Sequence, residues 1–141
     1  NVKTTTEELG VDEKIASFVL PLGMTINMNG TAIMQVVATL FIAGCAGYDV
    51  TLSQLIVIAL LALIASAGTP AAPGAGAIIL FTILSGLGYI NDGAPLAYSL
   101  ILAINRPIEM LVTALNVVGD SATAIYVAKS EGMLNEDIYN S

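Results

Sequence analysis

Long stretches without a charged residue constrain the fold of this chain more than any other feature of its sequence. Between positions 14 and 129 the charged residues are Asp49, Asp92, Arg106, Glu109 and Asp120. A water-soluble fold carries charge on every surface element, whereas a bilayer penalises it. Charged residues make up 11% of the chain, against roughly 25% in a typical globular domain. Because these uncharged runs are long and apolar, they predict an all-α membrane protein.

Composition also excludes several classes of function. No basic cluster is present, so no nucleic-acid partner is expected. With one cysteine, Cys45, and no histidine, neither a disulfide nor a zinc site is expected, and no other cofactor is indicated. The lack of a Ser–His pair and of a phosphate loop argues against an enzyme. The net charge of −7 comes largely from residues near the two ends: Glu7, Glu8, Asp12, Glu13, Glu131, Glu136 and Asp137.

Four apolar stretches organise the chain. A spanning helix needs about 20 apolar residues, so 15–45 and 95–128 are long enough to cross a bilayer. The first is predicted to be a discontinuous helix, because the motif PLGMTINMNGT interrupts it. The last, opened by Asp92, Gly93 and Pro95, is predicted to be one long final transmembrane helix.

The two middle stretches, 52–67 and 76–87, are too short to span and enclose an uncharged Gly/Pro segment, 66–77. This pattern predicts a re-entrant helical hairpin over 52–87. Non-helical backbone at membrane depth survives only where protein buries it or water reaches it, so the hairpin also indicates a site. If each arm of the hairpin crossed the whole membrane and the tip faced the cytoplasm, the number of crossings would still be even and both chain ends would lie on one side. The tip, however, carries no Lys or Arg.

The basic residues suggest an orientation. Lys3, Lys14 and Lys129 flank the two long stretches, whereas the loops 45–51 and 88–95 carry neither Lys nor Arg. The positive-inside rule then predicts a multi-pass protein of the cell (inner) membrane with both ends cytoplasmic. Residues 129–141 would form a cytoplasmic tail.

The interruption in the first stretch is the first candidate site. Pro21, Gly23 and Gly30 interrupt the helix, and unwound backbone frees carbonyls that a desolvated cation can use. A proline kink with polar residues bonding back to the helix is the alternative. The polar residues around the interruption are Thr25, Asn27, Asn29 and Thr31.

The last stretch carries a polar stripe. Glu109, Thr113, Asn116 and Asp120 are spaced i, i+4, i+7 and i+11, which places them on one helix face. Ionisable residues inside a membrane are candidates for function. Two alternatives remain open: an i, i+3 ion pair between Arg106 and Glu109, and an interfacial position for Asp120, about 16 Å along the helix from Glu109.

The hairpin tip is the third candidate, since a half-helix beginning near Gly74 would offer N–H groups to an anion. A tight turn without a binding role is the alternative. The tip residues able to expose backbone groups are Ser66, Gly68, Thr69, Gly74 and Gly76.

The motifs PLGMTINMNGT, GTPAAPGAGA and NVVGDSATAIYVAKSEG, in that order and spacing, resemble the glutamate transporter family of dicarboxylate/amino acid:cation symporters. The resemblance covers nearly the whole chain. It implies that 1–141 is the C-terminal part of the transport domain, comprising the seventh helix, the second hairpin and the eighth helix. A missing N-terminal scaffold would precede Asn1. It also implies a homotrimer with an elevator mechanism, in which the hairpin gates the substrate.

The resemblance further implies roles for individual residues. One sodium site would use carbonyls of Gly23, Asn27 and Asn116 with the Asp120 carboxylate. A second would use carbonyls of Thr25, Ser66, Ala67 and Thr69, and Met28 would lie between the ions and the substrate. Substrate would contact Thr31, Ala72, Gly76, Glu109, Thr113 and Asn116.

Three departures from the family pattern bear on function. Asn29 replaces an aspartate of a third sodium site, which makes that site doubtful. Glu109 replaces the aspartate that holds the substrate amine, and Val112 replaces the arginine that pairs with an acidic side chain. Arg106 lies six residues before Val112, about 120° around the helix, so it is not expected to reach the same point.

The sequence thus favours a sodium-coupled symporter for an amino acid with a neutral or atypical side chain. A proton-coupled or dicarboxylate symporter of the same family is one alternative. A non-transporting membrane sensor or structural subunit on the same scaffold is another.

Overall fold

The computed structural model describes all residues, 1–141, and is all-helical as predicted, with one isolated bridge between Val11 and Leu134. Short helices lie near both ends of the chain, and six longer ones lie between them. In order the helices are α1 (Val2–Glu7), α2 (Glu13–Ile26), α3 (Asn29–Cys45), α4 (Leu52–Ala67), α5 (Ala75–Leu87), α6 (Ala94–Ala103), α7 (Asn105–Ser130) and α8 (Glu136–Tyr139).

The first long stretch is a discontinuous helix formed by α2 and α3. Asn27 (φ −102°, ψ 74°) and Met28 (φ −106°, ψ 51°) leave the helical region between them. Pro21 lies inside α2, which continues past it, so the expectation that Pro21 and Gly23 interrupt the helix is wrong. The interruption comes six residues after Pro21, so a proline kink does not account for it.

Helices α4 and α5 form a helical hairpin. The Thr51 hydroxyl and the Gln54 side chain cap the start of α4, and Gly74 (φ 83°) precedes α5 in a left-handed conformation that glycine adopts without strain. The two outer ends meet, because the Tyr48 hydroxyl donates to the Gly88 carbonyl over 3.1 Å and the Tyr48 and Tyr89 rings lie 4.7 Å apart.

The last stretch is two helices, not the single helix predicted over 95–128. α6 ends at Ala103 and α7 begins at Asn105, with Ile104 between them. Pro107 explains the interruption: it has no N–H for the Ala103 carbonyl, and its ring collides with that carbonyl in a continuous helix. Proline is tolerated in the first turn of α7, where N–H groups lack helical partners.

Helix α3 is the centre of the bundle, since α4, α5, α6 and α7 all pack against it. The two ends of the chain also lie together, because the Asn135 N–H donates to the Gly10 carbonyl over 2.8 Å. The largest buried hydrophobic cluster joins α3 to the hairpin and to α6: Ala38, Ile42, Ala43, Ile58, Leu80, Leu84, Tyr89, Ala94, Ala97 and Ile101.

Two segments, Glu13–Cys45 and Asn105–Ser130, are long and apolar enough to cross a membrane. In the second, large apolar side chains such as Met110, Leu111 and Val118 are 65–74% exposed on the chain itself. Such a face is typical of contact with lipid or with further protein and not with water.

Candidate functional site

The interrupted helix, formed by α2 and α3, packs closely against α7 at positions where glycine leaves room for the neighbouring helix. A Cβ on Gly23 would collide with the Asp120 carboxylate, and one on Gly30 would lie 2.5 Å from the Val112 carbonyl oxygen. Real Cβ atoms do not come this close to backbone, so Gly30 has no room for a side chain, whereas a side chain at Gly23 would have to displace the Asp120 carboxylate. Their role is therefore close approach to α7 and not interruption of the helix.

Gly119 makes the third close approach and was missed by sequence reasoning. A Cβ there would collide with the Asn29 amide and lie 3.0 Å from the Asn27 Nδ2 atom. Glycine inside a helix costs roughly 0.5–1 kcal/mol relative to alanine. A glycine directly before Asp120 in an otherwise continuous helix was thus a usable signal of close packing.

Asp120 is buried against the interruption, with 3% of its surface exposed. The Asn27 Nδ2 atom donates to Asp120 Oδ1 over 2.8 Å, across 93 residues of sequence. An exposed carboxylate at the membrane interface would need no such partner, so the geometry favours the interpretation that Asp120 faces inward. Gly23, Asn27, Asn116 and Asp120, the first predicted sodium set, lie around the same interruption.

Asn116 joins α7 to the start of α3. Its Oδ1 accepts from the Gly30 N–H over 2.8 Å, satisfying one of the unpaired N–H groups that open a helix. Its Nδ2 donates to Thr31 Oγ1 over 3.2 Å and contacts Met28 Sδ at 3.3 Å. One side chain thereby holds the residues that follow the interruption.

A cavity of about 680 Å³ lies between the interruption, the hairpin tip and α7. This volume suits a small organic molecule. Arg106 and Val112 also line it. Every predicted substrate-binding residue lines this cavity: Thr31, Ala72, Gly76, Glu109, Thr113 and Asn116.

The hairpin tip is bound to α7 through Glu109. The Gly74 N–H donates to Glu109 Oε1 over 2.7 Å, so the predicted anion at this half-helix terminus is a side chain of the chain itself. Arg106 Nη1 lies 3.3 Å from Glu109 Oε2, which is the i, i+3 ion pair considered above. Glu109 therefore has a partner on each carboxylate oxygen.

The second predicted sodium set is only partly brought together. Ser66 and Ala67 line a neighbouring cavity of about 590 Å³ with Asn27 and Asn29. Thr69 lines the larger cavity, and its hydroxyl donates to the Ala65 carbonyl. Thr25 is exposed and lines neither cavity.

A family model described as the sodium:dicarboxylate symporter family matches residues 1–130. The chain belongs to this family. It is 38% identical over 128 residues to human "Excitatory amino acid transporter 2", covering 89% of this chain. It is 37% identical over 131 residues, or 93% of the chain, to the "Proton/sodium-glutamate symport protein" of Bacillus caldotenax. An "Excitatory amino acid transporter" of Onchocerca volvulus is 38% identical over 119 residues, or 84% of the chain.

The family assignment confirms the resemblance stated from the three motifs. The chain spans 22% of the length of the human relative and 30% of that of the Bacillus relative. Both relatives carry names of transport proteins, one a transporter of excitatory amino acids and the other a proton/sodium-glutamate symport protein.

Proposed function

We propose that this chain forms the ion- and substrate-binding part of a sodium-coupled symporter for an amino acid with a neutral or atypical side chain. The buried Asp120 carboxylate facing an interrupted helix, beside a cavity of about 680 Å³, is the observation that carries this proposal. The intact protein would be a homotrimer with an N-terminal scaffold, moving its transport domain as an elevator in the cell membrane, with both ends of this chain cytoplasmic.

The coupling ion would bind at the interruption. Asp120 provides negative charge in a region that otherwise offers only neutral oxygens, from Asn27, Asn116 and the backbone near Gly23. Hard cations such as sodium prefer this set of ligands, and interrupted membrane helices bind coupling ions in the same way. Thr25, Ser66, Ala67 and Thr69 are proposed for a second ion, once the hairpin brings their carbonyls together. Asn29 lacks the charge that a third ion would need.

The substrate would bind where Glu109, Thr113 and Asn116 line the cavity. Glu109 would exchange its present partners for the substrate amine, and the backbone at Ala72 and Gly76 would meet the carboxylate. Val112 lines the same wall and gives an acidic side chain no partner. An unpaired carboxylate in a dry pocket is costly, so neutral side chains are preferred.

Placing an arginine at this wall of the cavity should shift the substrate preference from neutral towards acidic amino acids. In Val112→Arg, uptake of aspartate or glutamate is expected to rise at least about tenfold relative to a neutral amino acid, because a bidentate pair forms. Competition against one radiolabelled neutral substrate measures the ratio, and Val112→Met, which adds bulk without charge at the same wall of the cavity, is the matched control. An unchanged ratio in Val112→Arg would place the side-chain pocket elsewhere.

The hairpin would act as the gate, with the Gly74–Glu109 hydrogen bond holding its tip. Glu109→Gln keeps the shape but removes the charge, which weakens this bond. A cysteine is placed at Ala72 in a Cys45→Ser background, and no substrate is added. This cysteine is expected to react with a polar thiol reagent about fivefold faster in Glu109→Gln than in the protein that keeps Glu109. The control is Glu131→Gln at the exposed end of α7. Equal rates in both variants would show that Glu109 does not hold the tip.

A second candidate is an acidic or dicarboxylate substrate, and the position of Arg106 favours it. Arg106 lines the same cavity as Val112. Its pairing with Glu109 already uses part of its charge, so we rank this candidate second. Competition by glutamate and succinate against neutral amino acids, with wild type and Arg106→Ala, separates the two.

Uptake by the intact protein in proteoliposomes under an imposed sodium gradient is the general test. Uptake that ignores sodium and follows a pH gradient would support the proton-coupled alternative. A protein that binds a ligand with sodium but transports nothing would support the sensor alternative.

A further inference from the structure

Two polar side chains in the middle of α3 are enclosed and have no hydrogen-bond partner within the chain. Gln35 and Thr39 are both 0% exposed, and neither the amide atoms of Gln35 nor the Thr39 hydroxyl is paired. They are four residues apart, so their side chains lie on one face of α3 on successive turns. Buried polar groups in proteins are almost always satisfied by protein or by ordered water.

The Thr39 hydroxyl forms no bond to the backbone of its own helix, whereas seven other hydroxyl groups of the bundle bond to a nearby carbonyl. Ser66, Thr69, Thr82, Ser99, Ser121, Thr123 and Ser130 each donate to a carbonyl three or four residues earlier in the chain. This back-bond is the simplest way to satisfy a hydroxyl inside a membrane. The Thr39 hydroxyl does not use it and therefore requires a partner outside its own helix.

A third unpaired group lies at the same level of the bundle. Asn105 is 7% exposed and its Oδ1 has no partner. Helix α3 runs antiparallel to α6 and α7, because Gly30 lies against Val112 and the Asn91 Nδ2 atom donates to the Ala46 carbonyl over 2.7 Å. The middle of α3 therefore lies level with the start of α7.

The interruption between α6 and α7 adds a backbone acceptor at this level. Because Pro107 has no N–H, the Ala103 carbonyl lacks its helical donor. The unpaired groups are thus mainly acceptors, together with the Gln35 amide donor and the Thr39 hydroxyl, which both donates and accepts.

We propose that Gln35 and Thr39 hold an ordered internal water, which bridges α3 to Asn105 and the α6–α7 interruption. Water fits because it donates and accepts at once, and buried waters make about three such bonds. A cation would satisfy the oxygens but face the positive hydrogens of Gln35 Nε2, with no carboxylate among these groups. An anion would face the Gln35 and Asn105 oxygens. This site does not depend on the proposed transport activity.

A density map of the intact protein at about 2.2 Å or better tests the site directly. A peak within about 3.2 Å of both Gln35 and Thr39 is expected, and it should disappear in Gln35→Met. A direct hydrogen bond from Gln35 to Asn105 with no peak would overturn the proposal. So would a peak with oxygens alone at about 2.4 Å, which marks a cation.

Unfolding measurements provide a second, independent test. Gln35→Met and Thr39→Val should each lower the Tm by several degrees, because each leaves the bridged partners short of a bond. The Tm of the double variant is expected to fall by clearly less than the sum of the two single-variant losses, since the double variant removes both groups that bind the water. Losses that simply add would mean that no bridging molecule links the two side chains.

Thr82→Val is the matched control. Thr82 is exposed on α5, and its hydroxyl donates to the Ile78 carbonyl of its own helix over 3.2 Å. Its Tm should stay within about 1 °C of wild type. A loss as large as that of Thr39→Val would show that the substitution itself, and not a bridged water, lowers the Tm.

Discussion

Asp120→Asn is expected to reduce sodium-driven uptake by about a hundredfold, which corresponds to about 2.7 kcal/mol. The side chain keeps its shape, and its oxygen can still accept from the Asn27 amide. What disappears is the one carboxylate buried against the helix interruption, and with it the charge that would offset the desolvation of sodium. Rates of uptake in proteoliposomes over a range of sodium concentrations measure the effect.

Binding provides the second readout for this variant. Sodium should raise the Tm of the wild-type protein with substrate present and should raise that of Asp120→Asn much less. Asp49→Asn, in the exposed segment before α4, controls for loss of charge alone and should leave both measurements unchanged. If Asp120→Asn kept the sodium dependence of the wild type, Asp120 would not belong to the ion site.

Gly30→Ala is expected to lower the Tm by about 5 °C or more and to weaken substrate binding with it. The added Cβ would lie 2.5 Å from the Val112 carbonyl oxygen and 3.1 Å from Val112 Cα. These are backbone atoms of α7 and cannot rotate away, so α7 itself must move. That movement also disturbs the hydrogen bond from the Gly30 N–H to Asn116, which lines the cavity.

Gly86→Ala is the matched control for this prediction. Gly86 lies inside α5, and a Cβ there would meet no atom within 4 Å. Alanine favours helix by up to about 1 kcal/mol over glycine, so the Tm should stay level or rise. A Gly30→Ala protein as stable as wild type would show that α2, α3 and α7 pack less tightly than described.

The two glycines show why part of the site could not be predicted. The sequence pattern predicts that Gly23 and Gly30 interrupt a helix, whereas in the structure they allow close approach to α7. Their contacts with Asp120 and Val112 bridge more than 80 residues of sequence, and no local pattern encodes such a pairing. Gly119 differs, because a glycine inside a helix is itself a local signal of close packing, although its partners Asn27 and Asn29 are equally distant in sequence.

The last helix shows the opposite kind of error. Pro107 lies in the sequence, and the rule that proline leaves a carbonyl unpaired predicts an interruption near Ala103. The apolar run from 95 to 128 was long enough for one span, and that length concealed the local signal.

The amino-acid sequence was sufficient to predict an all-helical membrane protein of the symporter family, with a polar interruption, a hairpin and a polar stripe. Those features follow from the spacing of charged, apolar and Gly/Pro residues, which act over one or two helical turns. The packed helices alone show that Asn27 contacts Asp120 and that Gly74 contacts Glu109. They also show that Gln35 and Thr39 lie enclosed without a partner. These pairings depend on how whole helices pack, which is a property of the bundle and not of any segment within it.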